Sequence, residues 1–312
     1  MNIVFMGTPD FAVPCLKALV ESGENVSAVF TQPDKPKGRG YKLMPSPVKE
    51  QALAYNIPVY QPLSLKKGED AEASMKVLKE LAPDLIVVVA YGKILPLEVL
   101  ELPKYKCINV HASLLPAYRG AAPIQWCVLN GEKETGVTTM LMGEGLDTGD
   151  MLLKSVTEIG ENETASELHD RLSEMGAKLL VETLKALKAG ELVPEKQDEA
   201  LSNYVGMITK DMCPIDFTKP AQQVHNQIRG LSSAPGAVAM FGGKRLKVFR
   251  SALDKGTYSE APGTIVNADS FTVACGDGKA VSFLEVQSEG GKRMRVTDFL
   301  RGNHINKGDK LN

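Results

Sequence analysis

Two polar residues, Asn109 and His111, stand two positions apart at the end of an apolar stretch of the chain. The stretch 107–111 has the composition of a buried strand. Because side chains alternate between the two faces of a strand, we expect Asn109 and His111 to leave it on the same face. A loop bounded by glycines, 145–150, offers Asp147 as a carboxylate to meet them. An amide donor, a titratable ring and an orienting acid are the groups that acyl transfer to an amine requires.

Acyl transfer to an amine passes through a tetrahedral oxyanion, while the incoming amine loses a proton and the leaving nitrogen gains one. Asn109 can donate its side-chain amide to the oxyanion. His111 can donate to the same oxygen or carry protons, and Asp147 can fix the orientation of the imidazole ring. Each residue alone is commonplace, since most histidines at strand ends are packed or lie at the surface. The hypothesis of a catalytic trio therefore depends on the three occurring together.

The first half of the chain alternates strand and helix patterns, which predicts an α/β fold with a mostly parallel, Rossmann-like sheet. The predicted strands are short and rich in β-branched residues, at 2–6, 26–31, 84–90 and 107–111. The helices predicted between them lie at 9–22, with Thr8 as the N-cap, and at 47–55, 71–81 and 123–130. Two further strands, 135–142 and 151–158, flank the Asp147 loop, and a long helix follows at 164–189.

The last third of the chain has a different pattern. A polar, aperiodic stretch at 191–206 predicts a linker between a catalytic domain at 1–190 and a second domain at 207–312. The second domain has one predicted helix, 221–229, and short strands joined by Gly-rich turns, a pattern typical of a small OB-like β-barrel. These strands are predicted at 237–241, 245–251, 263–267, 271–274 and 280–286, with Gly242-Gly243 as a hairpin turn.

The charge of the chain is unevenly distributed. Residues 1–206 carry 21 Lys and Arg against 28 Asp and Glu, a net charge of −7. Residues 207–312 carry 15 against 10, a net charge of +5. A basic region on an acidic body favours a polyanionic partner, although an excess of five charges over about a hundred residues also arises by chance.

Composition excludes several other classes of protein. The chain has 312 residues with 43% hydrophobic and 24% charged, the balance of a globular protein, and no apolar run reaches the length of a membrane span. Its start has the pattern of a buried strand and not of a targeting segment. The five cysteines are scattered without a C-x-x-C pair, so we expect reduced thiols, no zinc site and a cytoplasmic location.

The extended pattern resembles the folate-dependent formyltransferases, most closely those that act on methionyl-tRNA. In the first half the matching motifs are Gly7-Thr8-Pro9-Asp10-Phe11-Ala12, Thr31-Gln32-Pro33-Asp34-Lys35-Pro36, Gly38-Arg39-Gly40, Lys42-Leu43-Met44-Pro45-Ser46-Pro47-Val48-Lys49 and Val87-Val88-Val89-Ala90-Tyr91-Gly92. They continue with 107–116, Arg119-Gly120-Ala121-Ala122-Pro123-Ile124-Gln125 and 145–150. The matches keep their order along essentially the whole chain.

The resemblance implies a role for each matched residue. Asn109, His111 and Asp147 fall on the catalytic trio of the family. Four consecutive residues match its folate signature, namely Ser113, Leu114, Leu115 and Pro116. Further matches fall on loops that enclose the pterin ring, namely Tyr91, Gly92, Ile94, Leu95, Gly143 and Gly145. The implied cosubstrate is 10-formyltetrahydrofolate, and the implied acceptor is the α-amino group of methionyl-initiator-tRNA. We expect no metal, no membrane partner and a monomer.

Basic residues cluster in two places that the resemblance connects with tRNA. The segment 35–49 contains five cations and no acid, and it resembles an insertion of the family that enters the acceptor stem; its cations are Lys35, Lys37, Arg39, Lys42 and Lys49. On the predicted strand 245–251, Arg245 and Lys247 share one face and could follow phosphates. Ala234 stands where the family often has Trp, which puts one packing or tRNA contact in doubt.

Two alternatives share most of these features. A formyltransferase acting on a nucleotide-sugar amine would keep the trio and the folate signature but would not need the basic segment 35–49. A catalytically inactive tRNA-binding relative would keep the basic residues, and the intact trio argues against it. Formyl transfer to charged tRNA would separate the three possibilities.

Overall fold

The computed structural model describes residues 1–37 and 42–312. Its strands are β1 (Asn2–Gly7), β2 (Asn25–Phe30), β3 (Lys35–Lys37), β4 (Lys42–Met44), β5 (Val59–Tyr60), β6 (Leu85–Val89), β7 (Cys107–His111), β8 (Arg119–Gly120), β9 (Glu134–Leu141), β10 (Met151–Glu158), β11 (Tyr204–Val205), β12 (Ala237–Phe241), β13 (Lys244–Leu253), β14 (Ile265–Asn267), β15 (Thr272–Ala274), β16 (Ala280–Ser288) and β17 (Met294–Arg295). Its α-helices are α1 (Val13–Glu21), α2 (Pro47–Ala54), α3 (Glu69–Leu81), α4 (Leu97–Glu101), α5 (Pro123–Asn130), α6 (Ala165–Ala189), α7 (Ala221–Gly230) and α8 (Val296–Gly302).

The chain forms two compact units, each assembled from separate segments. The first unit consists of Met1–Gly120, Gly136–Thr157 and His169–Tyr204, and the second of Ala121–Thr135, Glu158–Leu168 and Val205–Asn312. These units are defined by contacts, whereas the division predicted from the sequence (1–190, 191–206 and 207–312) follows chain order and stays a prediction.

The first unit is built on a seven-stranded sheet in the order β10-β9-β7-β6-β1-β2-β5. The pairs from β7 through β6 and β1 to β2 and β5 are parallel, and β9 is antiparallel to β7. All five residues of β6 and of β7 are buried. Strands covered on both faces are mostly apolar, as the unbroken apolar sequence of β6 shows, which is why the sequence pattern predicted them. The expected α/β fold with a mostly parallel sheet is confirmed.

The second unit contains an antiparallel sheet in the order β12-β13-β16-β15-β14, with β17 paired to β16. Residues near the end of the chain bridge both outer strands. Leu311 pairs with Phe241 of β12, and Lys310 pairs with Thr264 just before β14. This closure leaves neither outer strand unpaired along its whole length, as expected of a small barrel. The predicted hairpin turn is confirmed, since Gly242 and Gly243 both have positive φ.

Local details differ from the predictions at the start of the first helix. A 3-10 turn, Asp10–Ala12, comes first, and the α-helix begins only at Val13. The predicted cap at Thr8 is wrong, because its hydroxyl accepts from no N–H of the helix; it donates to the carbonyl of Tyr91 at 3.0 Å and accepts from the N–H of Gln32 at 3.3 Å. A contact with a distant loop has replaced the local cap. The structure also adds α4, α8 and the β3–β4 hairpin, each too short for a periodic pattern to reveal.

None of the helices in the described part of the chain combines the length and apolar composition that crossing a bilayer requires.

Candidate active site

His111 is the last residue of β7 and is 7% exposed. Its Nε2 lies 3.0 Å from the carbonyl oxygen of Tyr118. Because a carbonyl can only accept a hydrogen bond, Nε2 carries the proton, and the Nδ1 of the neutral ring is left with a lone pair. The Oδ1 atom of Asp147 lies 3.7 Å from Nδ1, close enough for charge interaction but too far for a hydrogen bond.

Asp147 reaches His111 because its loop runs back along the sheet. Strand β9 ends at Leu141, which lies opposite Ile108, whereas His111 lies opposite Thr138. The loop that follows must therefore return by three residue positions, about 10 Å, to bring the carboxylate to the ring. The backbone N–H of Gly120 donates to Oδ2 of Asp147 at 2.9 Å and fixes this end of the carboxylate.

The backbone of this loop is unusual at two positions. Asp147 itself has a φ of 53°, in the left-handed region that Asp tolerates better than most residues. At Gly149 an added Cβ would lie 1.7 Å from the carbonyl oxygen of Leu141. Only glycine permits this close approach of backbone to backbone, so Gly149 is required for the loop to turn toward His111.

Asn109 lies on the same strand, two residues before His111, and pairs with Met140 of β9. Its neighbour Val110 faces the other side of the sheet, where its Cγ1 would meet a Cβ added to Gly176 of α6 at 3.0 Å. Asn109 is 9% exposed, and its side-chain amide makes no hydrogen bond to any residue in the described part of the chain. An amide with open donors therefore lies beside the imidazole, as the alternation of the strand predicted.

The segment after β7 turns sharply and is held by hydrogen bonds. The hydroxyl of Ser113 donates to the carbonyl four residues later at 2.7 Å. The hydroxyl of Thr138 accepts from the N–H of Leu115 at 3.2 Å and donates to the carbonyl of Ser113 at 2.7 Å. Leu115 is buried, whereas Leu114 and Pro116 are partly exposed. The predicted folate signature is therefore a rigid turn that adjoins His111.

The segment after β6 presents both a buried hydroxyl and exposed apolar surface. Tyr91 is buried, its hydroxyl has no hydrogen-bond partner among the described residues, and burial raises the pKa of this hydroxyl. Leu95 is also buried, while Ile94 is 74% exposed. Gly92 is exposed with a φ of 74°, and an added Cβ would meet the side-chain amide of Gln32 at 2.3 Å. The loop thus keeps an open backbone next to an exposed apolar side chain.

The loop after β9 lies next to this segment. Met142 packs against the core cluster that contains Tyr91 and Leu95. Beyond it Gly143 and Gly145 are exposed, and Leu146 is 63% exposed. Large apolar side chains exposed on adjoining loops commonly mark a surface that a ligand covers.

The basic segment near residue 40 forms an antiparallel hairpin of β3 and β4. Lys35 lies on β3, and its ammonium donates to the side chain of Gln32 at 2.7 Å. Lys37 and Lys42 pair across the end of the hairpin. Arg39, at the centre of the predicted tRNA-binding segment, lies outside the described residues.

Lys49 differs from the other cations of this segment because its ammonium is fully engaged. It donates to both carboxylate oxygens of Asp34, at 2.9 and 2.8 Å, and to Gln61 at 2.7 Å. The hydrogen bond from Lys49 lowers the pKa of Asp34 below its ordinary value. An ammonium has three donors, and all three are used here. These contacts give Lys49 a supporting role at the base of the hairpin, and its assignment to tRNA stays a prediction.

In the second unit, Arg245 and Lys247 lie on β13 with the alternation that the sequence predicted. Leu246 and Val248 are buried between and after them. Arg245 is exposed and has no ion-pair partner among residues 1–37 and 42–312. The ammonium of Lys247 donates to the carbonyl of Pro235 at 2.8 Å. Of the two cations, Arg245 is the more available for a phosphate.

Sequence reasoning missed a set of polar residues that contact the Asp147 loop. Arg119 has no solvent exposure and donates to Gln197 and to Glu199. Gln197 in turn donates to the backbone on both sides of Thr148. Arg119 belongs to one of the motifs that match the family. Nothing in the polar stretch 191–206, however, distinguishes Gln197 from its neighbours. Only the tertiary contacts reveal it.

Within residues 1–37 and 42–312, no group of three or more His, Cys, Asp or Glu side chains could hold a metal ion.

Comparison with known proteins is consistent with this geometry. Residues 1–184 match the formyl transferase family, and residues 207–304 match the formyl transferase C-terminal domain. The chain is 54% identical to a methionyl-tRNA formyltransferase of Citrifermentans bemidjiense, over 100% of this chain and 96% of the relative. It is 52% identical to a methionyl-tRNA formyltransferase of Caldanaerobacter subterraneus subsp. tengcongensis, over 100% of both chains.

Among solved structures, the fold is similar to that of an N-formyltransferase from Helicobacter canadensis in complex with folinic acid and dTDP-3-aminofucose. The TM-score is 0.70 at 21% identity, over 92% of this chain and 99% of the other. At this identity the likeness concerns the fold alone. The family matches span most of the chain, and the sequence identities extend over its whole length. The chain therefore belongs to the formyl transferase family, in which its relatives of about half-identical sequence are methionyl-tRNA formyltransferases.

Proposed function

We propose that this chain transfers the formyl group of 10-formyltetrahydrofolate to the α-amino group of methionyl-initiator-tRNA, giving N-formylmethionyl-tRNA for translation initiation. One observation carries the proposal: the open Nδ1 of His111 faces the Asp147 carboxylate at 3.7 Å on the strand that also presents the unpartnered amide of Asn109. The identity of 54% to a methionyl-tRNA formyltransferase over the whole chain supports the choice of acceptor.

The first step is attack of the α-amine on the formyl carbon. A carbon–nitrogen bond forms, and the formyl oxygen becomes an oxyanion. Asn109 donates its free amide hydrogens to this oxygen, and because the amide has no other partner it needs no rearrangement to do so. Preorganised donors of this kind are the main source of stabilisation in acyl transfer.

The second requirement is proton transfer. The Nε2–H of His111 is held by the carbonyl of Tyr118, so the ring can take a proton only at Nδ1. The attacking amine gives up its proton there, and the Asp147 carboxylate beside Nδ1 stabilises the imidazolium that forms. The bond between the formyl carbon and N10 then breaks. N10 receives the proton, so that tetrahydrofolate leaves as a neutral amine.

Folate binding is assigned to the loops around this strand. The residues proposed are Tyr91, Gly92, Ile94, Leu95, Ser113, Leu114, Leu115, Pro116, Gly143 and Gly145. The exposed side chain of Ile94 and the open backbone of the glycine positions suit a flat ring that needs apolar contact and a few polar partners. Tyr91 is buried in the core cluster beside these loops, so its proposed part is to support them from below.

Contact with tRNA is assigned to the β3–β4 hairpin, with Lys35, Lys37, Arg39 and Lys42, and to Arg245 and Lys247 on β13. Cations on a hairpin and on a strand face can neutralise phosphates without reading bases. Lys49 supports the hairpin through Asp34 and Gln61. We propose that the chain acts as a monomer in the cytoplasm, where translation initiates.

Fewer observations favour a nucleotide-sugar amine as the acceptor. The sugar N-formyltransferases among the solved structures share the fold at about 21% identity, whereas the methionyl-tRNA formyltransferases share about half of all residues. The basic hairpin, which a small acceptor does not need, also favours tRNA.

The test is formyl transfer by the purified protein with 10-formyltetrahydrofolate and three acceptors in parallel. We expect methionyl-initiator-tRNA to be formylated and the elongator methionyl-tRNA to react far more slowly. A dTDP-amino sugar should not react at all. Preference for the sugar would overturn the assigned acceptor, and failure with every acceptor would support the inactive relative.

A further inference from the structure

The catalytic loop is held in place by one side chain from a distant part of the first unit. The side-chain amide of Gln197 donates to the backbone carbonyl of Asp147 at 2.8 Å and to that of Gly149 at 2.7 Å. These two bonds use both hydrogens of the amide. They fix the carbonyl groups of the residues before and after Thr148, and the first of these residues is Asp147, which has a positive φ.

The orientation of this amide is itself fixed. The oxygen of the Gln197 side chain accepts from Nε of Arg119 at 2.9 Å, so the nitrogen must face the loop. Two of the remaining guanidinium hydrogens pair with the two oxygens of Glu199 at 3.0 and 2.9 Å, and a third donates to the hydroxyl of Tyr204 at 3.2 Å. A guanidinium with no solvent exposure that makes a bidentate ion pair is rigid.

The same segment also supports the other side of the site. The side-chain oxygen of Asn203 accepts from the N–H of Tyr118, and its backbone carbonyl accepts from the N–H of Arg119. Tyr118 is the residue whose carbonyl holds His111. Residues 197–203 therefore contact the backbone that orients the imidazole and the backbone that carries the carboxylate.

We infer that Gln197, oriented by Arg119 and Glu199, is a positioning residue that holds Asp147 against His111. The inference rests on the proposed role of Asp147 in proton transfer. Gln197 reaches no reacting atom through these contacts, and its effect passes entirely through the loop. Removing it allows the loop to relax and the carboxylate to move away from Nδ1, and a displacement of about 1 Å at a reacting group can lower a rate about 100-fold.

The first measurement compares Gln197→Ala with the parent protein at saturating formyl donor and methionyl-tRNA. We expect kcat to fall about 10- to 100-fold while the KM for each substrate changes less than about 3-fold, because in this loop Gln197 contacts Asp147 and Gly149 and none of the residues assigned to substrate binding. Gln197→Glu should behave similarly, since it keeps the acceptor for Arg119 but loses the two donors. Gln223→Ala, which removes an exposed glutamine of α7 in the second unit, is the matched control and should leave kcat unchanged.

A double-mutant cycle separates positioning from general damage. If Gln197 acts only through Asp147, adding Gln197→Ala to Asp147→Asn should cause no further loss of kcat, whereas independent effects would multiply. Thermal unfolding of each variant checks that the fold persists. Multiplied losses would overturn the inference, as would a kcat for Gln197→Ala within about 2-fold of the parent while Asp147→Asn is inactive.

A different result would contradict the proposed function itself. If Asp147→Asn keeps near-normal turnover, the assigned role of Asp147 is wrong irrespective of Gln197. A weaker variant, Glu199→Gln, tests the outer part of the arrangement and should lower kcat about 2- to 5-fold, since one charged partner of Arg119 becomes neutral. No change in Glu199→Gln would limit the positioning role to Arg119 and Gln197.

Discussion

The two units each bury a histidine whose Nε2 donates to a backbone carbonyl, and the difference between them lies at the other ring nitrogen. In the first unit Nδ1 of His111 has no hydrogen bond and faces a carboxylate. In the second unit Nε2 of His225 donates to the carbonyl of Glu161 at 3.1 Å, and Nδ1 accepts from the hydroxyl of Ser251 at 2.9 Å. Both nitrogens of His225 are satisfied, and its side chain has no solvent exposure.

The asparagines that accompany these histidines differ in the same way. The side-chain oxygen of Asn226 accepts from Gln222 and from Arg229, each at 3.0 Å. Asn109, also buried, has an amide without partners in the described part of the chain. Buried polar groups are normally paired, because an unpaired one lowers stability. Among the described residues the one buried side-chain nitrogen or oxygen atom without a partner is the Tyr91 hydroxyl, so the Asn109 amide and Nδ1 of His111 keep contact with solvent and are open to a substrate.

The comparison shows that burial and residue type do not by themselves distinguish a catalytic histidine from a structural one. What distinguishes them is whether both ring nitrogens already have hydrogen-bond partners within the protein. In the second unit both ring nitrogens of His225 and the side-chain oxygen of Asn226 are used in contacts within that unit.

Replacing each histidine in turn is the strongest test of this difference between the two units. We expect His111→Ala to lower kcat for formyl transfer by about 10²- to 10⁴-fold, the usual contribution of a positioned acid–base group, with little change in stability. His225→Ala should lower the unfolding temperature but leave kcat near normal at a temperature where the variant is folded. Kinetics and thermal unfolding of both variants decide the matter, and near-normal turnover in His111→Ala would overturn its role.

The asparagines give the next largest contrast. Asn109→Ala should lower kcat about 10²- to 10³-fold, as loss of one oxyanion donor does, without loss of stability. Asn226→Ala should instead cost about 1–3 kcal/mol of unfolding free energy, because Arg229 and Gln222 lose their acceptor. Denaturant unfolding and steady-state kinetics measure both. Equal effects of the two substitutions on kcat would contradict a catalytic role for Asn109 and a structural one for Asn226.

A smaller effect is expected at the surface of the second unit. Arg245→Ala should weaken the affinity for tRNA several-fold and reduce the slope of log affinity against log salt by about 1, because one phosphate contact is lost. The KM for the folate should not change. Lys255→Ala, an exposed cation just beyond the other end of β13, is the control. An unchanged salt slope in Arg245→Ala would exclude a phosphate contact at this residue.

The smallest predicted effect concerns pH. Burial lowers the pKa of His225 below its ordinary value of 6.5, so between the lowered value and 6.5 the unfolded chain binds a proton that the folded chain does not. The contribution of His225 to stability is therefore complete above pH 6.5 and is lost as the pH falls toward the lowered pKa. Unfolding of His225→Gln should show a shallower dependence on pH in this range. An equal slope in both proteins would contradict a buried neutral histidine.

Sequence reasoning predicted the fold class and the neighbourhood of Asn109 and His111 because both follow from local patterns. Continuous apolar runs indicate strands covered on both faces, and the two-residue period of a strand places Asn109 and His111 together. Sequence reasoning was less informative about the roles of the basic residues. Lys49 was grouped with its basic neighbours, yet its ammonium is bound to Asp34 and Gln61, partners that no spacing rule identifies.

By itself the sequence determined which residues occupy the end of β7, the family of the chain and the glycine at 149 that the loop requires. Only the tertiary structure decided that a loop leaving β9 at Leu141 returns along the sheet to place a carboxylate beside His111. It also decided that a glutamine fifty residues later holds that loop by two backbone carbonyls. The physical reason is the range of the interactions. Strand alternation acts between adjacent residues, whereas a hydrogen bond between distant segments exists only after the chain has folded.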